Sequence, residues 1–407
     1  MRLIPTALLI TGYIQSKQHV FNSTNSLVNK LQEYIRFNTV SQETNYSGVT
    51  QWLKSYINDI GLEYSVIYCN VKKPIVIGTW KGSNPSLQSI LINSHYDVVP
   101  VNKEYWNVDP FGGELGEVNG EQVIYGRGSQ DDKSLTIMQL EALRALKNGG
   151  FEPKRTIHIT IVPDEELYSD EGMSCLVKTR WFKAMNVGAA LDEGFMSQDP
   201  EFLLFHGERA SWGVNATATG STGHASKFIQ NLAISKLQKF IQFAELYRKR
   251  KRKTNTMNLA LMGGGTANNV VPDTLWAYYN IRVSPTIGSQ TTKKLLNKWA
   301  SRAGVNLTYF NDADPTISLN DSNAHFYNTV INTTKEFGVD IKTQIFPGGT
   351  DSRYLRESGI PAYSITPCAN VETLAHDHNE YLPVRCLQAG VLFYENLLPK
   401  LSNLNEL

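Results

Sequence analysis

The chain of 407 residues predicts an α/β protein, a mainly parallel sheet covered on both faces and interrupted by an inserted α+β unit of ferredoxin-like kind. Three observations predict it. Short apolar runs alternate with helical stretches up to about residue 207. From Glu208 the pattern changes to strand, helix, strands, helix and strand. From Asp321 the larger helix–strand pattern resumes. Residues 17–207 and 319–407 therefore read as one domain, 208–318 as the inserted one, and 1–16 as a candidate signal peptide.

The elements follow in order. From Asn25 to Gly61 apolar residues recur at helical spacing, among them Leu27, Leu31, Tyr34, Trp52 and Ile57, and Gly61 stops the helix. Ser89–Ser94, Thr156–Val162 and Val187–Leu191 read as buried strands, with a helix over Leu135–Lys147 between the first two. In the insert, Trp212–Thr219 alternates like a strand with one solvated face. A helix over Ile229–Tyr247, strands over Asn258–Met262 and Leu275–Val283, a helix over Gln290–Ala303 and a strand over Val305–Tyr309 complete it.

Composition excludes several classes. Hydrophobic residues make up 41% and charged residues 19%, the balance of a soluble globular protein. A net charge of +1 gives no global field, so neither nucleic acid nor membrane is expected as a partner. The local exception is Arg248-Lys249-Arg250-Lys251-Arg252-Lys253, read as a solvated loop, with anion binding or cleavage as the other reading. Cys69, Cys175, Cys368 and Cys386 form no CxxC pair, which excludes a thiolate zinc cluster and leaves one or two disulfides open. Met1-Arg2 and the apolar run to Ile14 resemble a secretory signal, a buried helix being the other reading. Sequons at Asn22, Asn45, Asn215, Asn306, Asn320 and Asn332 are compatible with secretion. Secretion is the expectation and a cytoplasmic location the alternative.

Chemistry-bearing residues gather where the strands end. The first strand ends in His95-Tyr96-Asp97, the second in Pro163-Asp164-Glu165-Glu166 and the third in Asp192-Glu193-Gly194. A glycine-punctuated loop, Gly126 to Lys133, lies between the first two. Ligands of open α/β sheets bind outside the carboxyl ends of the strands. Carboxylates collected there repel and desolvate badly unless cations join them. A bridging carboxylate, two histidines and further acids are what a pair of divalent metals requires, and His376-Asp377-His378-Asn379-Glu380 offers the second histidine. Singly each motif is weak; His158, on its strand, reads as core.

Seven blocks occur in one order: Ser-His-Tyr-Asp-Val-Val-Pro (94–100), Gly-Arg-Gly-Ser-Gln-Asp (126–131), Val-Pro-Asp-Glu-Glu (162–166), Ala-Leu-Asp-Glu-Gly (190–194), Gly-His-Ala-Ser (223–226), Gly-Gly-Thr-Asp-Ser-Arg (348–353) and His-Asp-His-Asn-Glu (376–380). Together they resemble the M20 family of metallopeptidases, in its aminoacylase-1 branch. The resemblance implies a zinc-hydrolase catalytic domain carrying two zinc ions per subunit, with the insert as a dimerisation and lid domain. It assigns His95, Asp131 and Asp192 to one zinc and Asp131, Glu166 and His376 to the other, with the peptide after Asp131 often cis. Asp97 would orient His95, and Glu165 would be the general base. His224 would reach into the partner's site of a homodimer to steady the oxyanion. Asn269 and Arg282 match substrate-binding lid positions, and the Gly348-Gly349-Thr350 loop would cradle the substrate carboxylate. Arg282 also reads as a strand-surface salt bridge.

The function implied is hydrolysis of N-acyl-L-amino acids, small-molecule substrates, to a carboxylate and a free amino acid. An M20 exopeptidase or dipeptidase is the rival, lacking here any recognisable element for a free α-amine. A non-catalytic secreted binding protein and a zinc-independent structural dimer are the readings outside enzymes. One departure from the family stands out: Tyr168 and Ser169 occupy positions where relatives carry glycines.

Overall fold

A computed structural model describes residues 24–42, 46–167, 169–250 and 254–407. The candidate signal over residues 1–16, the Asn22 and Asn45 sequons, Tyr168 and Lys251-Arg252-Lys253 lie outside them.

The chain enters through α1 (Thr24–Arg36) and α2 (Ser47–Ile60), followed by the antiparallel hairpin β1 (Glu63–Asn70) and β2 (Lys73–Trp80). Next come β3 (Ser89–His95), the hairpin β4 (Leu115–Val118) and β5 (Glu121–Tyr125), α3 (Lys133–Asn148) and β6 (Ile157–Val162). Short helices α4 (Met173–Leu176) and α5 (Arg180–Met185) lead to β7 (Val187–Asp192) and β8 (Phe202–Glu208). Then follow β9 (Ala210–Thr219), β10 (Gly223–His224), α6 (Ala233–Arg250), β11 (Thr256–Gly264) and β12 (Val270–Val271). After β13 (Thr274–Val283), α7 (Ser289–Ala303) and β14 (Asn306–Phe310) come α8 (His325–Glu336) and β15 (Ile341–Phe346). The chain finishes with α9 (Ser352–Glu357), β16 (Ala362–Ser364), β17 (Tyr381–Pro383) and α10 (Val384–Ser402).

Two compact units result. One comprises the chain up to His206 with Ser318–Gln344 and Thr350–Leu407; the other is Gly207–Ile317 with Ile345–Gly349. The larger is built on a sheet of order β1-β2-β6-β3-β7-β16-β8-β15, parallel from β6 to β16 and antiparallel where β2 meets β6 and β16 meets β8. β3, β6 and β7 are buried along their whole length, which is why they read as unbroken apolar runs. Alternate residues enter opposite cores. Ile90, Ile92, Ile159, Ile161 and Leu191 pack with α1, α2, α3 and α10, whereas Leu91, Val162 and Ala190 pack with α4, α5 and α9. In the smaller unit, strands of order β11-β13-β9-β14 pack against α6 and α7 through Phe240, Tyr279 and Trp299, the ferredoxin-like arrangement.

Two helix expectations change. The periodicity from Asn25 to Gly61 covers two helices, not one, because residues 37–41 leave the helix to pair with the chain after β3. There Val40 bridges Val98, and Thr39 Oγ1 donates to the Tyr96 carbonyl at 2.5 Å. Gly61 does end α2, in the left-handed conformation (φ 78°) that a helix C-cap favours. The helix expected from Ile229 begins at Ala233, after Asn231 turns left-handed (φ 58°) and its carbonyl accepts from Ser221 N.

All four cysteines are paired, Cys69 with Cys175 and Cys368 with Cys386. The first pair ties β1 to α4 across a separation of 106 residues. A cross-link closing so long a loop restricts the unfolded chain, and the double substitution C69S/C175S is expected to cost about 2–4 kcal/mol. Urea unfolding followed by near-ultraviolet circular dichroism checks this: an earlier midpoint is expected, and coincident curves would refute the cross-link's role.

Candidate active site

β6, β3 and β7 are parallel neighbours, so their carboxyl ends open at one sheet edge. His95 closes β3, the 3-10 turn Glu165–Leu167 follows β6, and Glu193 follows β7. Two groups of ligand-type residues form there, each with donor atoms mutually within 4.8 Å: His95, Asp131 and Glu193, and Asp131, Glu166 and His376. His95 Nε2 stands 3.1 Å from Asp131 Oδ1 and 3.5 Å from Glu193 Oε1. His376 Nε2 stands 3.2 Å from Asp131 Oδ2 and 2.9 Å from Glu166 Oε2. The two oxygens of Asp131 thus face different groups.

Crowding shows in the electrostatics. Burial, then the Asp131 charge, pushes Glu166 up to about 7. Burial pushes Glu193 up to about 8, although His95 draws it down. Burial and the Glu193 charge raise Glu165 well above the carboxylate range. Asp131 goes the other way: burial would raise it, but its hydrogen bonds with His376 and His95 hold it far below. Hydrogen bonds to Asp131 and Glu166 raise His376 to about 10. Glu166 Oε1 is buried without a hydrogen-bond partner. An orphaned carboxylate oxygen, a shared carboxylate and two imidazoles suit divalent cations with nitrogen and oxygen preferences.

Other carboxylates hold this edge in shape. Asp97 accepts from the backbone N–H of Glu165 (3.2 Å) and Glu166 (3.3 Å) and from the Ser41 hydroxyl (3.0 Å). His95 meets Asp97 mainly at the backbone: Nδ1 lies 2.9 Å from the Asp97 carbonyl and 3.6 Å from Oδ1. A carbonyl only accepts, so Nδ1 carries the proton and Nε2 is left to face the cluster. Glu380, fully buried, accepts from Arg127 Nη1 (2.7 Å) and from the backbone N–H of Gly128 (3.1 Å), Gln130 (2.6 Å) and Asp131 (3.2 Å). It gathers the 127–131 loop around one carboxylate, placing Asp131. The Asp131–Asp132 peptide is cis.

The glutamate turn is gripped from β1 and β2. Lys73 Nζ reaches Asp164 at 2.5 Å and Glu171 at 3.0 Å, and Cys69–Cys175 crosses beside them. Gly172 lets the turn close, since a Cβ there would sit 2.2 Å from the Pro163 carbonyl. Ser169 has φ 55°, a backbone state that suits glycine, and its hydroxyl donates to Asp351. Asp351 is pushed up to about 7 by burial and the Asp192 charge.

Asp192 is the point where sequence and structure part. Its carboxylate accepts from Ser352 N (2.7 Å), Ser352 Oγ (2.8 Å) and Asn93 Nδ2 (2.9 Å), so it anchors the start of α9, and Glu193 instead faces His95 and Asp131. The remaining expected residues belong to neither group. His224 is exposed on β10, its Nδ1 2.7 Å from Ser226 Oγ, and Asn269 O accepts from Ala225 N beside it. Arg282 sits on β13 between Ser211 and Thr256. Thr350 is buried with its Oγ1 accepting from Ser352 N, after the Gly348-Gly349 turn. His158 is indeed core, next to Thr79 and lowered to about 4 by burial. His378 packs on the Tyr105 ring. Sequence reasoning missed Glu193, Glu380 and Lys73. Glu193 carried a signal, since the first residue past a strand is freer to face the sheet edge than the last within it.

Comparisons with known proteins agree on a family. Residues 91–400 match the sequence profile of peptidase family M20/M25/M40. Aminoacylase-1 of Mus musculus is 38% identical over 92% of this chain and 95% of its own length, and aminoacylase-1 of Dictyostelium discoideum is 32% identical over 93% and 98%. Among solved structures, a Staphylococcus aureus tripeptidase is similar with TM-score 0.74 at 18% identity, covering 94% of this chain and 99% of that one. A dinuclear metal-binding M20 peptidase of Bacillus subtilis is similar with TM-score 0.68 at 16% identity, covering 92% and 97%. At such identities these two likenesses are of fold.

Glu380→Gln preserves size but leaves the buried Arg127 without its counter-charge. Metal affinity is expected to fall about 10–100-fold, as for other residues that orient ligands, with loss of thermal stability. Calorimetric metal titration checks this; unchanged affinity would show that the loop holds Asp131 without Glu380.

Proposed function

The chain belongs to peptidase family M20, and from that premise we propose how its residues carry out the reaction. It is a metal-dependent amidohydrolase that splits N-acyl amino acids into a carboxylate and a free amino acid. The observation that carries the chemistry is Asp131, shared by two ligand groups beside Glu165.

The donor set supports two zinc ions per chain, His95, Asp131 and Glu193 holding one and Asp131, Glu166 and His376 the other. Glu193 takes the place expected of Asp192, whose oxygens are taken by Ser352 and Asn93. Ions held by these residues would polarise the amide carbonyl and make a water acidic. Glu165 accepts the proton of the attacking water and passes it to the leaving nitrogen, so the amine departs neutral. Asp97 holds Glu165 and Glu166 in one turn, so adjacent carboxylates do different work.

On the family resemblance, Asn269 and Arg282 bind substrate, the backbone N–H groups of Gly348, Gly349 and Thr350 cradle its carboxylate, and His224 of the partner subunit steadies the oxyanion. The homodimer this requires is supported by β11, an edge strand with Leu261 and Met262 exposed, and by the exposure of His224. Pairing of all four cysteines supports secretion, since disulfides persist in oxidising compartments.

Release of amino acid from N-acetyl-methionine and from a long-chain acyl-glutamine tests the reaction. Glu165→Gln is expected to lower kcat about 10²–10⁴-fold with metal still bound, and a chelator is expected to abolish turnover. Chelator-resistant release would overturn the metal-dependent account, and release from dipeptides alone would move the chain to the peptidases.

Metal binding has a predicted pH sign. Glu166 (about 7), Glu193 (about 8) and His376 (about 10) all titrate above their ordinary values without metal, so a cation must displace protons from them. Affinity is expected to rise between pH 6 and pH 8, with net proton release in calorimetry across buffers of different ionisation enthalpy. A flat profile would contradict these ligands.

A further inference from the structure

The near-zero total charge hides a division between the two units. Residues 207–317 carry 15 Lys and Arg against five Asp and Glu, and 345–349 carry none, so the smaller unit is +10. The rest of the chain carries 24 against 33, or −9. The excess lies on the helices. α6 and α7 together hold nine cations and one acid, Glu245.

These helices lie side by side and antiparallel. Asn255, just past α6, donates to Thr292 near the start of α7 at 2.9 Å, while Gly304 at the end of α7 faces Lys236 near the start of α6. Their aromatic residues Phe240, Tyr247 and Trp299 turn inward onto one another. The cations turn outward. Lys294, Lys298 and Arg302 are exposed at i, i+4 and i+8 along α7, and Arg248, Lys249 and Arg250 are exposed in the last turn of α6.

Helix stability does not explain the pattern. The last turn of α6 is where a helix dipole favours cations, but α7 has no acid in its first turn and places Lys294 in its second, against its dipole, beside a Lys293 that is paired with Asp312. Like charges at i, i+4 cost helix stability as well.

We propose that the outer face of α6 and α7 is a docking surface for a sulfated polysaccharide, its sulfates lying along the α7 stripe. The complementary charge is dense and linear. The face exposes no aromatic ring on which single-stranded bases would stack, and its exposed large hydrophobics are Ile234 and Leu246, too few for a membrane wedge. Paired cysteines suit the oxidising compartments in which extracellular polyanions are met. Docking is independent of hydrolysis, so turnover of N-acetyl-methionine serves as the folding control.

The test uses the full-length, metal-loaded protein and fluorescence anisotropy with a labelled heparin-derived oligosaccharide. Its desulfated counterpart, duplex DNA of equal charge and phosphatidylserine vesicles are the comparison arms. Binding to the sulfated oligosaccharide is expected at physiological salt, weakening as salt rises and at least about tenfold weaker in K294E/K298E/R302E, whose turnover is unchanged. K294Q/K298Q/R302Q, which retains helix-forming residues, is expected to show a smaller loss in the same direction. Equal binding of the desulfated chain, tighter binding of DNA or vesicles, no binding at physiological salt, or wild-type affinity in the charge-reversed form would each overturn the proposal.

Discussion

Repulsion between carboxylates buried at one sheet edge is the constraint from which the rest of the structure follows. Glu165, Glu166, Glu193 and Asp131 meet where β6, β3 and β7 end, and no chain gathers such charge without something to offset it. Within the protein the offset is partial. His95 and His376 together hold Asp131 ionised, while burial and mutual repulsion push the three glutamates toward their protonated forms. Divalent cations held there would complete it and would supply the chemistry.

Hydrogen bonding separates the carboxylates that build the site from those that act in it. Asp97, Asp192 and Glu380 are buried and supplied with N–H or O–H donors: Asp97 by the glutamate turn, Asp192 by Ser352 and Asn93, Glu380 by the 127–131 loop. Each fixes a backbone segment. Glu166, in contrast, keeps a buried oxygen without a partner, and the two oxygens of Asp131 meet His95 and His376 in the company of Glu193 and Glu166. Asp192 spends its two oxygens on Asn93 and Ser352, whereas Glu193 turns one toward His95, and that geometry favours Glu193 as the residue facing the cluster.

Much of this was legible in the sequence. The unbroken apolar runs around Ile90, Ile159 and Ala190 announce strands buried on both faces, and parallel order follows from the helices between them. His95, Asp131, Glu166 and His376 fall at strand ends or in the loops beside them, where their chemistry is conspicuous. What escaped depends on direction in space. Asp192 and Glu193 differ by one position, yet one turns back to α9 and the other out to His95. Glu380 lies 249 positions from Asp131, a separation at which no periodicity connects them. The break between α1 and α2 escaped because helical spacing of apolar residues persists on both sides of the segment that pairs with Val98. The charge of the smaller unit was written in the composition but cancelled in the total.

The central claim is that one carboxylate, Asp131, joins two metal sites into a single centre. The most direct measurement is the metal content of Asp131→Ala against the parent chain, by elemental analysis after equilibration at limiting free zinc. Two ions per chain in the parent, with both lost together in the variant, is the predicted result. A variant that keeps both ions, or a parent that saturates at one, would contradict it.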